Sequence, residues 1–218
     1  ILSSVANMAM VGAEMVIPLY LQIIHGFSAF ESGLSLLAGA LMMGVMSPIT
    51  GRAFDRFGAK RLAILGMFLL TIGTIPFAFI TRNTATVYIV VLYAVRMFGI
   101  AMVMMPATTA GMNALPVELM GHGTAVNNTT RQIASSIGTA ILTSVLSNVT
   151  DATKPAHSLI KSNPLGYQNS YFNATLNGYH AAFWVAVGFS VVGLVVAFFM
   201  KGKQHSVKPV MNTKEVND

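Results

Sequence analysis

Long apolar runs separated by short polar breaks set the frame of this chain. Six runs are long enough to cross a bilayer, which takes about 17–25 residues. They cover roughly 1–24, 33–50, 62–80, 87–110, 124–146 and 179–200. Each predicts a helix, and the fold class is an all-α membrane bundle of six spans. The breaks are the His25-Gly26-Phe27-Ser28 turn, the Gly51–Arg61 segment, Thr81-Arg82-Asn83-Thr84, the connection from Gly111 to Gly123, and a long polar loop over 147–177. The pattern therefore gives one helical domain over 1–200 and a polar, disordered, cytoplasmic tail over 201–218.

Charge fixes the orientation. Only 9% of the 218 residues are charged and 54% are hydrophobic, against about 25% charged in soluble domains. The Gly51–Arg61 segment carries Arg52, Arg56, Lys60 and Arg61. Cationic connections stay in the cytoplasm, so this turn marks the inner surface and the other spans follow by alternation. The tail adds Lys201, Lys203, Lys208 and Lys214 to the same side, while Arg82, Lys154 and Lys161 fall on the other. The net charge of +6 thus reads as topology, and a nucleic-acid partner is not expected. With no Cys, disulfides and thiolate metal sites are excluded. His25, His122 and His180 have no metal-ligand spacing and read as interfacial. No nucleophile–base pair or nucleotide loop is present, so neither an enzyme nor a cofactor is expected. Ile1 opens inside an apolar run, which reads as a piece of a longer protein.

Several polar positions inside the runs point to chemistry. Arg96 sits about ten residues into the fourth run, where an Arg costs about 2.5–3.5 kcal/mol to insert. Arg96, Gly99, Val103 and Pro106 share one face, which should point into the bundle. In the fifth run Arg131, Ser135, Gly138 and Leu142 share a face, and Ala134-x-x-x-Gly138 permits close helix contact. In the first run Asn7, Glu14 and Gln22 lie on one side, and Pro18 frees the Glu14 carbonyl. That stripe is expected to face a cavity, with Glu14 able to carry a proton or hold a cation. A structural pair of Glu14 with Arg96 or Arg131, or a water-facing residue with no role, is the plainer alternative. The 15 Met residues, Met42, Met43, Met46, Met102, Met104 and Met105 among them, read first as core or lipid-facing filling. A pocket for varied apolar shapes is the other reading.

Gly51, Asp55, Arg56, Gly58, Lys60 and Arg61 resemble the G-x-x-x-D-R/K-x-G-x-R/K-R/K signature of the major facilitator superfamily. Gly51 would let the helix end approach a neighbour, Asp55 would accept from a helix N-terminus or pair with a cation, and Gly58 would permit the turn. Arg96-x-x-Gly99 resembles that family's R-x-x-x-G pattern with the spacing one residue short. The Asn113-Ala-Leu-Pro, Gly121-His-Gly-Thr-Ala and Arg131-Gln-Ile-Ala-Ser-Ser-Ile-Gly-Thr-Ala stretches look like the later half of fourteen-span drug:proton antiporters. The resemblance implies the C-terminal half of such a transporter in a bacterial plasma membrane. Its partners would be the lipid bilayer, protons, small apolar or cationic substrates and a missing N-terminal half. It implies multidrug efflux by proton antiport, with Glu14, Arg96 and Arg131 as substrate or proton-coupling residues and the basic turn as a conformational gate. A transporter for one metabolite, or a truncated accessory membrane protein without transport, are the alternatives.

Overall fold

The computed structural model describes residues 2–112, 115–156 and 163–200. The tail lysines and Lys161, with Ile1 and Asn113, lie outside them. Five long helices follow one another: α1 Leu2–His25, α2 Ala29–Thr74, α3 Thr86–Met112, α4 Met120–Thr153 and α5 Pro164–Phe198. Short 3-10 segments, Ile75–Phe79 and Val117–Leu119, extend α2 and precede α4. All five helices are long and apolar enough to cross a membrane.

α2 holds two spans. Its 46 residues would reach about 69 Å if straight, twice the thickness of the hydrocarbon core. It breaks at Gly58, whose φ of 77° and ψ of 162° are non-helical and cost little only for glycine. The packing register shows that the two arms run in opposite directions. In the first arm Gly39 lies against Tyr93 and Gly51 against Met105, so it runs parallel to α3. In the second, Gly66 meets Val103 and Gly73 meets Arg96, so it runs antiparallel. Six alternating segments result, as the apolar runs predict.

The remaining registers agree. Ser3 and Asn7 of α1 bond Asn127 and Ser135 of α4, a parallel pair. Tyr20 and Val5 of α1 meet Tyr179 and Gly193 of α5, an antiparallel pair. The start of α1 and the end of α5 therefore lie at the same end of the bundle as the basic segment.

Two boundaries differ from expectation. The basic segment is no eleven-residue turn: helix runs through Phe57 and resumes at Ala59, with Gly58 alone carrying the reversal. The residues around it are tolerable helix formers, so one glycine suffices. The polar loop also shrinks, because α4 continues to Thr153 and α5 starts at Pro164. Asn and Ser discourage helix only where they compete for the backbone. Here Asn163 caps α5 by accepting from the Gly166 N–H at 2.9 Å, and Pro164 takes the first turn.

Glycine sets how closely the helices approach. A Cβ on Gly99 would stand 2.8 Å from both the Gly66 carbonyl oxygen and the Leu70 nitrogen. The backbones of α2 and α3 thus touch at that crossing. A Cβ on Gly138 would meet the Met8 carbonyl oxygen at 2.8 Å, which makes the Ala134-x-x-x-Gly138 step the α1–α4 contact. The core lies between α1, the second arm of α2, α3 and α5, with Tyr20, Met67, Phe77, Met97, Tyr179 and Phe183 buried in it. Met104 is buried in this core and Met43 packs against it, in line with the filling role read for these methionines.

Candidate functional site

The buried charge is Arg96. It is 0% exposed, and Gly99, Val103 and Pro106 on its face are buried with it. Two other helices hold its guanidinium. Nε donates to Thr74 Oγ1 of α2 at 2.9 Å, and Nη2 donates to the Ala9 carbonyl of α1 at 3.1 Å. Thr74 is itself fixed, because its hydroxyl donates to the Leu70 carbonyl at 2.6 Å. The guanidinium carbon also stands 5.9 Å from the centre of the Phe77 ring, within cation–π range. Nη1 is buried without a partner among the described residues. The two charge-assisted bonds offset part of the insertion cost.

Glu14 lies beside this group. It is half-buried on α1, and Tyr93 Oη donates to its Oε1 at 3.3 Å. Tyr93 precedes Arg96 by three residues, so one face of α3 presents phenol and guanidinium together. The Tyr93 ring lies on Gly39 of α2, where any side chain would collide with it. A carboxyl group, a phenol and a guanidinium are thus gathered near mid-depth where α1, α2 and α3 meet. The carboxylate and the guanidinium are not ion-paired: among the described residues the one salt bridge is Lys154–Asp151.

The other expected residues are placed differently. The stripe of Asn7, Glu14 and Gln22 does not open together onto a cavity. Asn7 is buried and donates to Ser135 Oγ and to the Arg131 carbonyl, the latter at 3.3 Å. Gln22 donates to Ser32 Oγ at 3.1 Å. A polar side chain in an apolar slab finds the nearest acceptor, and neighbouring helices supply one at each of these levels. Arg131 is half-buried, and its guanidinium has no hydrogen bond or ion pair among the described residues. It sits beside Asn7, two turns along α1 from Glu14.

In the basic segment Asp55, Arg56 and Arg61 are exposed, with Gly51, Gly58 and Lys60 partly covered. Arg56 lies over the Phe57 ring at 5.4 Å. A Cβ on Gly51 would be 3.2 Å from the Met105 Cε, so this glycine does admit a neighbour. Asp55 makes neither the helix-cap bond nor the ion pair expected of it among the described residues.

Thr74, Tyr93 and the Ala9 carbonyl were not singled out from the sequence. For Tyr93 a signal existed, because it shares the Arg96 face three residues earlier. Thr74 carried none, since its partner lies 22 residues away across a turn.

Alternating helices long and apolar enough to cross a membrane define a polytopic membrane protein. The family model for the Major Facilitator Superfamily matches residues 1–139. The uncharacterized MFS-type transporter YcnB of Bacillus subtilis is 47% identical over 195 residues, covering 89% of this chain and 39% of that protein. The lincomycin resistance protein LmrB of Bacillus subtilis is 37% identical over 197 residues, covering 90% of this chain and 40% of that protein. The multidrug resistance protein Stp of Mycobacterium tuberculosis is 29% identical over 149 residues, covering 68% of this chain and 28% of that protein. The chain belongs to the Major Facilitator Superfamily. It spans about two fifths of the length of the first two of these relatives.

Proposed function

We propose that the chain supplies one half of a proton-driven exporter of apolar and cationic compounds. The observation that carries this reading is the Glu14–Tyr93–Arg96 group at mid-depth. A carboxyl there is costly unless it has work to do, and such residues mark proton and substrate paths. Glu14 would exchange a proton for a cationic substrate. Arg96, held rigidly by Thr74 and Ala9, would supply a fixed positive charge beside the carboxyl. Tyr93 would donate to the carboxylate when the proton leaves.

A second feature supports a water-filled cavity beside a missing half. Only 17% of the most apolar stretch of α4 is buried, against 39% to 56% in the other four helices. Its exposed residues include Asn128, Thr129, Gln132 and Ser136, which share one face. Such a face is poorly suited to lipid and well suited to water or to another polar helix face. Arg131 lies on this helix and would reach the cavity. The basic segment, with Asp55 free, would latch against the missing half in one state of a rocking cycle.

The test is Glu14→Gln in the full-length transporter, with export of a cationic and a neutral compound measured under an imposed proton gradient. Proton carriage predicts loss of both. Substrate contact alone predicts loss of the cation only. Wild-type export of both would remove Glu14 from the mechanism.

A further inference from the structure

Most exposed large apolar residues of α2 fall in two stripes. On the first arm Leu34, Leu37, Leu41, Val45 and Ile49 are each about half exposed. Steps of three and four put them on one face, and the exposed Arg52 and Arg56 continue it. From Leu34 to Arg52 the helix rises about 27 Å, close to the hydrocarbon core of about 30 Å. The stripe thus crosses the core, and its arginines emerge at the inner surface. On the second arm the exposed Arg61 opens a stripe through Leu65, Phe68 and Ile72, each about half exposed. That stripe rises about 17 Å, close to the depth of one leaflet. Phe57, also about half exposed, lies where the stripes meet, with the Arg56 guanidinium over its ring. None of Arg52, Arg56, Lys60 and Arg61 has an ion pair or a side-chain hydrogen bond among the described residues. Asp55, the one acid of the segment, stands at the edge of the first stripe, about 60° from Arg52, and leaves the surface cationic.

We propose that this end of α2 binds an anionic phospholipid of the inner leaflet. Arg52, Arg56 and Arg61 hold the headgroup phosphate, to which a guanidinium fork can donate two parallel bonds. An acyl chain lies along Leu65, Phe68 and Ile72, and Phe57 sits at the level of the glycerol. Charge complementarity selects the lipid class. A zwitterionic headgroup brings its own cation, whereas cations without ion pairs favour net negative charge. The apolar stripes select a lipid over a free phosphate, because a soluble anion would leave them uncovered. Arg82 provides the contrast at the opposite surface. Its guanidinium donates to Asn169 Oδ1 at 3.4 Å and stands 4.9 Å from the centre of the Phe172 ring, so it is already occupied. The proposal rests on neither export nor the latch, since a lipid held here need not take part in transport.

The test uses the full-length transporter in phosphatidylcholine vesicles. A bimane fluorophore is placed at Leu65→Cys, with any cysteine outside this Cys-free chain replaced. Phosphatidylglycerol or phosphatidylcholine carrying a nitroxide on its acyl chain is added at equal fractions, and quenching gives their relative association. Phosphatidylglycerol should associate about threefold or more tightly at Leu65→Cys. A second reporter at Phe79→Cys, exposed at the outer end near Arg82, should show no preference. Arg56→Gln with Arg61→Gln should erase the preference at Leu65→Cys. Excess glycerol 1-phosphate in solution should leave it intact. The contrast between the two reporters leaves every basic residue in place, so it reads the site even where the double variant inserts poorly. Equal association of the two lipids at Leu65→Cys, as a face covered by the missing half would give, would overturn the assignment. So would the same preference at Phe79→Cys, a preference untouched by the double variant, or one relieved by glycerol 1-phosphate.

Discussion

Arg96 and Arg131 are both intramembrane arginines, each placed on a helix face with a glycine and small or apolar residues. Their fates differ. Arg96 is fully buried and held by groups from two other helices. Arg131 is half-buried and offers only its backbone carbonyl to a neighbour. The difference lies in what surrounds the helix. α3 is enclosed by α1 and both arms of α2, whereas α4 leans on α1 and α5 and leaves most of its surface open. An arginine becomes structural where its own chain supplies acceptors on several sides. Where it does not, the guanidinium remains available to a substrate, a cavity or another half.

Breaking the enclosed arginine should have the largest effect. Arg96→Ala removes two charge-assisted bonds and should cost about 2 kcal/mol or more in stability. It should also abolish export by the full-length protein. Arg96→Lys should fail to restore either, because a lysine cannot reach Thr74 and Ala9 together with a planar fork. Thermal unfolding and export rates read both outcomes. A lysine that restores full activity would mean that charge alone matters at this position.

The crossing beneath Arg96 comes next. Gly99→Ala drives a methyl into the backbone of α2 and should destabilise by about 1–3 kcal/mol. Gly188→Ala, which meets nothing within 4 Å, should change stability by less than about 0.5 kcal/mol. Equal melting temperatures for the two variants would contradict the close approach. Gly39→Ala should act on function more than on stability. It pushes the Tyr93 ring away from Glu14, so export should fall, and Tyr93→Phe should lower it in the same way. If Tyr93→Phe exports normally, the phenol bond to Glu14 has no role. The smallest stability effect belongs to the open arginine. Arg131→Ala should alter stability by less than about 0.5 kcal/mol while still lowering export. A strong loss of stability would show that Arg131 is structural after all.

Much of the frame was legible in the sequence because bilayer thickness imposes it. Runs of about twenty apolar residues read as spans, and Gly58 among basic residues marked the reversal. The buried face of Arg96, Gly99, Val103 and Pro106 followed from helical spacing alone. Helix ends were less readable. Asn148, Asn163 and Ser170 look like loop formers, yet α4 and α5 pass the apolar limit because their packing continues there. The start of α2 carried a missed signal: Ser28 and Glu31 form a capping box, with Glu31 accepting from the Ser28 N–H at 2.8 Å. The site itself was half legible. Glu14 and Arg96 stand out as charges in apolar runs. Tyr93, Thr74 and the Ala9 carbonyl join them only through tertiary contact, which no local pattern encodes. The cavity-facing stripe on α1 failed for the same reason, since Asn7 and Gln22 found partners on α4 and α2.

The most direct test of the account is the proton released when a cationic substrate binds. The full-length transporter would be held in weakly buffered detergent at neutral pH with a pH indicator, and saturated with a cationic compound that it exports. The account predicts proton release from wild type, as a cation displaces the proton of a mid-membrane carboxyl, and none from Glu14→Gln. Equal release from the two proteins would place the exchanging group elsewhere and contradict the central claim.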